Sequence, residues 1–130
     1  VEQEHLEQLI THTVFSLEGG AAAAGRLITR GATAVICGSD LMALGAIRQA
    51  RAMGRSVPGA FSVVGYDDST MMAFTDPPLT TIRQAVDAMG DAAVRALLDD
   101  IAGEGPPCAE YVFRPELVVR GSTGAAPPRG

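Results

Sequence analysis

The sequence has 130 residues, 47% of them apolar and 5% aromatic, with 10 basic residues against 15 acidic ones and a net charge of -5. That is one domain's worth of chain with enough apolar material for a packed core. Every basic residue is an arginine, spread singly from Arg26 to Arg129, and tryptophan is absent, so neither a phosphate-backbone footprint nor a base-stacking surface is written into it.

No run approaches the roughly 18 apolar residues of a membrane span, and the acidic stretch from Val1 to Glu7 is unlike the basic-then-apolar start of a secretory signal, so a soluble, cytoplasmic protein is expected. Cys37 and Cys108 stand far apart and make no disulfide framework. In chain order, Ile10 to Leu17 reads as a short strand. Glu18 to Arg30 is alanine-rich, repeats its apolar residues at Ala23, Leu27 and Ile28, and stops at Gly31, which predicts a helix. Thr33 to Cys37 is a second strand. Ser39 or Asp40 then caps a helix from Leu41 to Met53, with Ala43, Leu44, Ile47 and Ala50 on one face.

After a turn over Arg55 to Gly59, Phe61 to Tyr66 forms a third strand and Ser69 to Phe74 a short helical or irregular piece. Pro77 and Pro78 force an extended connection into Leu79 to Arg83. Met89 to Ile101 is a further amphipathic helix, and Tyr111 to Phe113 and Glu116 to Arg120 are strands broken by Pro115. Strand and helix alternate throughout, so the class is α/β: a parallel sheet with helices on both faces.

Two apolar strands end abruptly in polar residues, at Ser39-Asp40 and at Asp67-Asp68, and ligands of open α/β sheets bind at such carboxyl ends. For Asp40 at a helix start, capping and ligand contact are both open readings on the residues alone. Asp67 and Asp68 are disfavoured as an acid/base or metal pair, because adjacent side chains diverge and no third ligand is near in sequence. Cys37 sits inside an apolar run with no base placed by any motif and reads as core. His5 and His12 make no metal spacing, and no glycine pattern supports a phosphate loop, so neither metal nor cofactor is expected.

Four segments, Thr33 to Gly45, Val57 to Asp68, Pro77 to Gln84 and Glu116 to Thr123, occur in an order and at spacings that resemble the effector-binding region of LacI/GalR transcription regulators. The resemblance implies a periplasmic-binding-protein-like type I fold, of which the C-terminal subdomain alone is present. Residues 1–124 would be a partial effector-binding domain, residues 81–109 the excursion toward an N-terminal subdomain outside this sequence, and residues 125–130 a flexible tail. The helix from Met89 to Ile101 would then lack its usual cover.

By the same resemblance Asp40 contacts the hydroxyls of a sugar or nucleoside, with Ser39 standing where most members have asparagine. Gln84 and Val86 line the cleft, and Phe15 and Ser16 are lesser candidates at another strand end, with core packing the better reading of Phe15. Asp67 and Asp68 shape a hinge. Phe74, Met71 and Met72, with Leu44 and Ile47 of the preceding helix, fall at a homodimer interface. The function implied is that of a non-enzymatic part of a cytoplasmic regulator that binds a small polar effector, a sugar by preference. It would reach DNA only through an N-terminal domain not contained in these residues, and would touch no membrane. A periplasmic solute-binding protein of the same fold is the alternative.

Overall fold

The structure, a computed structural model, describes residues 7–105, 110–126 and 128. His5, Cys108 and the end of the tail, all singled out from the sequence, lie outside the described residues. Helix α1 (Leu17–Thr29) starts where Ser16, extended at φ -147° and ψ 165°, accepts a hydrogen bond from the Gly19 N–H at 2.9 Å. Glu18 in its first turn and Arg26 in its last match the helix dipole. Helix α2 (Asp40–Ala52) starts in the same way, on Ser39, whose hydroxyl oxygen accepts from the Met42 N–H at 3.2 Å. Of the two expected caps, Ser39 is the one used. Asp40 is the first helical residue.

The strands are β1 (Ala34–Ile36), β2 (Ser62–Asp67), β3 (Thr80–Arg83) and β4 (Glu116–Val118), hydrogen-bonded in that order. The first three run parallel, with Val35 opposite Val63 and Gly65 opposite Thr81. β4 returns antiparallel along β3, placing Leu117 opposite Ile82, so the sheet is mostly rather than wholly parallel. Ser122 fastens the bottom of the sheet from the far end of the chain. Its hydroxyl accepts the Thr80 N–H at 2.8 Å and donates to the Val63 carbonyl at 2.6 Å. The gap between the starts of β2 and β3 is thereby closed without leaving a buried backbone group unpaired.

The core lies on the face that α2 covers. Ala43, Ala46, Ile47 and Ala50 of α2 recur at helical spacing and pack with Ala24 and Ile28 of α1 and with Cys37, Phe61, Val63, Met72 and Leu79. Gly45 of α2 lies against the start of α1, where a Cβ would sit 2.9 Å from the Ala21 nitrogen and closer still to the Leu17 carbonyl oxygen. The two helices therefore touch through backbone. The opposite face of the sheet has no matching helical layer among the described residues, because α3 (Val86–Ala102) buries none of its residues. This helix was expected over Met89 to Ile101, without cover, and it is found so; Ile101 is 73% exposed.

Two expected strands do not form. Residues 10–15 are irregular, since this segment pairs with no strand and makes local turns instead, Ile10 N–H to the Glu7 carbonyl and Ser16 N–H to the Val14 carbonyl. Residues 111–113 are likewise irregular. A short 3-10 helix (Thr70–Ala73) follows β2, as the sequence suggested.

Candidate functional site at the strand ends

The carboxyl ends of β1, β2 and β3 lie side by side on one rim of the sheet, and the candidate residues distribute along it. At the end of β1, Cys37 is enclosed, and burial pushes its thiol up to about 12, so it stays protonated and is no nucleophile at neutral pH. Beside it the ring of Phe15 lies over Gly38, so close that a Cβ on Gly38 would be 3.1 Å from the ring tip. The ring is nevertheless 73% exposed. Ser16 and Ser39 flank it, each half-buried with its oxygen taken by a helix N–H; each hydroxyl proton remains available to donate.

Asp40 does not present itself to a ligand. The residue is 2% exposed and both carboxylate oxygens are engaged within the chain: Oδ1 accepts from the Thr81 hydroxyl at 2.5 Å and Oδ2 from the Ser69 N–H at 2.7 Å. The reading of Asp40 as a hydroxyl-binding group is thus corrected to that of an internal strut. As the first residue of α2 its side chain turns inward, over the strands, instead of outward over the rim.

The aspartate that does face the rim is Asp67. β2 ends on two residues with positive φ: Asp68 at 57° lies in the left-handed region that short polar side chains tolerate, and Asp67 at 117° lies beyond it, a strained backbone of the kind that clusters at functional turns. The turn sends the two side chains apart. Asp67 is exposed, and its Oδ1 accepts a hydrogen bond from Gln84 Nε2 at 3.0 Å. The side chain of Asp68 is 8% exposed and receives Arg120 at 2.6 Å and Arg83 at 2.7 Å. Burial alone would raise its pKa, but the hydrogen bonds and charges of Arg120 and then Arg83 outweigh burial and hold the carboxyl below its ordinary value. Arg120 also donates to the Leu79 carbonyl at 2.8 Å, and Arg83 reaches Glu116 at 3.4 Å. Of the pair, Asp68 is tied into the fold by two arginines, while Asp67 joins Gln84 at the rim.

Next to Gln84 a shallow pocket of about 240 Å³ opens between Tyr66, Met89, Tyr111 and Phe113. Val86, the first residue of α3, is exposed and does not line it. The sequence reading missed Asp67 as a ligand-facing group. By strand alternation Asp67 would share the face of buried Val63 and Gly65; it is the positive-φ turn at Asp67 and Asp68 that brings it out to the rim, and nothing in the sequence signalled that turn. Among the described residues no group of three or more histidine, cysteine or carboxylate side chains is placed to hold a metal ion, and no helix is long and apolar enough to cross a membrane.

The five candidates for a homodimer contact divide. Phe74 is 78% and Met71 65% exposed, and Leu44 is half-buried. Met72 and Ile47 are corrected to core, since the helical period of α2 and the inward turn of the 3-10 helix bring them under the sheet.

A family model described as periplasmic binding protein-like domain matches residues 2–123. This chain belongs to that family. Within it, the chain matches a part of LacI-type transcription regulators. It is 61% identical over 121 residues to the HTH-type transcriptional regulator MalR of Streptomyces coelicolor, a match covering 93% of this chain and 35% of that protein. Among solved structures it is similar to a transcriptional regulator CelR-cellobiose complex, with a TM-score of 0.84 and 41% identity over 89% of this chain and 36% of the other. It is also similar to the lac repressor dimer bound to operator and the anti-inducer ONPF, with a TM-score of 0.79 and 33% identity over 87% of this chain and 40% of the other. The chain spans about a third of the length of MalR and of the HTH-type transcriptional regulator CelR of Thermobifida fusca.

Proposed function

We propose that these residues form one wall of a sugar-binding cleft in a cytoplasmic transcription regulator, and that the regulator dimerises through the surface around Met71 and Phe74. The observation that carries this reading is the pairing of Asp67 with Gln84 on the same rim as the exposed ring of Phe15. A sugar offers an apolar ring face and a fan of hydroxyls. The aromatic ring suits the first, and a carboxylate that accepts beside an amide that donates and accepts suits the second. The similarity to a regulator solved with cellobiose supports the same class of ligand.

The one described cysteine is buried and held protonated, so it offers no thiolate. The work is binding: an effector that bridges this rim and a second subdomain biases closure, and closure alters the affinity of a separate domain for DNA. The test uses the full-length parent protein, titrated calorimetrically with a panel of monosaccharides and disaccharides, cellobiose among them, and with adenosine. At least one sugar is expected to bind, and Asp67→Ala is expected to weaken it about 30-fold, the equivalent of about 2 kcal/mol for charge-assisted bonds to hydroxyls. Binding of adenosine alone, or a sugar bound equally well by Asp67→Ala, would overturn the assignment.

A further inference from the structure

Asp40 holds three units of the fold with one side chain. It is itself the first residue of α2, its Oδ1 takes the hydroxyl of Thr81 on β3, and its Oδ2 takes the N–H of Ser69 in the loop after β2. The middle strand makes room for it: a Cβ on Gly65 would lie 2.5 Å from Oδ1, so only glycine lets the carboxylate reach across β2. Both bonds are short and the group is enclosed, and charge-assisted bonds in a low-dielectric site resist displacement.

The Ser69 peptide is a consequential one to anchor. Two residues before it stands Asp67, at the ligand rim; just after it comes the 3-10 helix that carries exposed Met71 and leads to Phe74. We propose that Asp40 is a positioning residue that fixes the Ser69 peptide and thereby couples the strand-end rim to the Met71–Phe74 surface. The proposal rests on the reading of that surface as the dimer contact. A buried strut of this kind makes the loop move with α2 as one body, so that a displacement at Asp67 is passed on to Phe74 instead of being absorbed between them.

The experiment compares Asp40→Ala, Asp40→Asn and Thr81→Val in the full-length parent protein, reading amide hydrogen exchange by peptide and the dimer dissociation constant by sedimentation. Asp40→Ala is expected to speed exchange at least tenfold in residues 66–75 while leaving α1 unchanged, and to weaken the dimer at least tenfold. Asp40→Asn, which keeps an acceptor for the Ser69 N–H, is expected to restore most of both, and Thr81→Val to fall between. If Asp40→Ala does not fold, the other two variants decide on the same readouts.

Exchange that rises evenly through the molecule, a dimer constant within twofold of the parent, or an asparagine variant no better than alanine would each overturn the coupling. Phe74→Glu is the control for the underlying reading. Should it leave the dimer intact, the coupling falls because the interface lies elsewhere, and localised exchange in 66–75 distinguishes that failure from a failure of the strut itself.

Discussion

Asp68 carries two guanidinium groups on one enclosed carboxylate, and the balance of forces on it sets a pH dependence. Burial disfavours its charge, yet Arg120 and Arg83 more than compensate, so the folded pKa lies below the unfolded value of about 3.9. A carboxyl depressed on folding stabilises the fold above its unfolded pKa, and that contribution is lost as pH falls through the folded pKa. The arm through Arg83 is half-exposed and adds less than the arm through Arg120, whose side chain is mostly enclosed and also bonds the Leu79 carbonyl. Asp68→Asn is therefore expected to lower stability at pH 7 by about 1.5–3 kcal/mol, the range for hydrogen bonds to charged groups. Urea melts at pH 7 and pH 3 check this: the gap between variant and parent should shrink at the lower pH. A gap that stays constant would show that charge is not what Asp68 contributes.

At the scale of elements, the contact between α1 and α2 makes glycine obligatory in one helix and optional in another. Glycine inside a helix ordinarily costs about 1 kcal/mol relative to alanine. Gly90 of α3 follows that rule, since a Cβ there would meet nothing within 4 Å. Gly45 does not, because its Cβ would collide with the Leu17 carbonyl and press on the Ala21 nitrogen. Gly90→Ala is expected to raise stability by up to about 1 kcal/mol and Gly45→Ala to lower it by about 2 kcal/mol, a strain typical of overpacking. Thermal melts of the two variants should shift in opposite directions, and shifts of the same sign would refute the close approach. Helices α1 and α2 were legible in the sequence to within a residue, because caps and apolar period are local signals. The failed strand at 10–15 and the antiparallel β4 were not, because whether an extended segment finds a partner, and in which direction, depends on distant chain. The same limit governed the site. Phe15 was expected in the core and is exposed, and Asp40 rather than Asp67 is enclosed, because the sequence does not show which side chain turns inward.

For the whole molecule, the consequence of an incomplete set of layers is apolar surface. Val94, Leu97, Leu98 and Ile101 of α3 are all more than half exposed, and at the other end of the sheet β1 leaves one edge unpaired among the described residues, beside a groove of about 420 Å³ lined by Ile10, Leu27, Val35 and Ile36. A one-strand-wide open edge next to exposed aliphatic side chains is a template for association. Expressed as these 130 residues alone, the chain is expected to sediment as oligomers at micromolar concentration and to bind an apolar dye. Leu97→Lys combined with Ile101→Lys should reduce both, since two charges on the stripe of α3 oppose its burial without touching the α1 and α2 core, while an added lysine at exposed Ile36 should act on the strand edge independently. Because α3 and β1 contribute no shared core residue, the two effects should add. A compact monomer that excludes the dye, with the amides of α3 as well protected as those of α2, would mean that α3 docks onto the sheet and covers its open face.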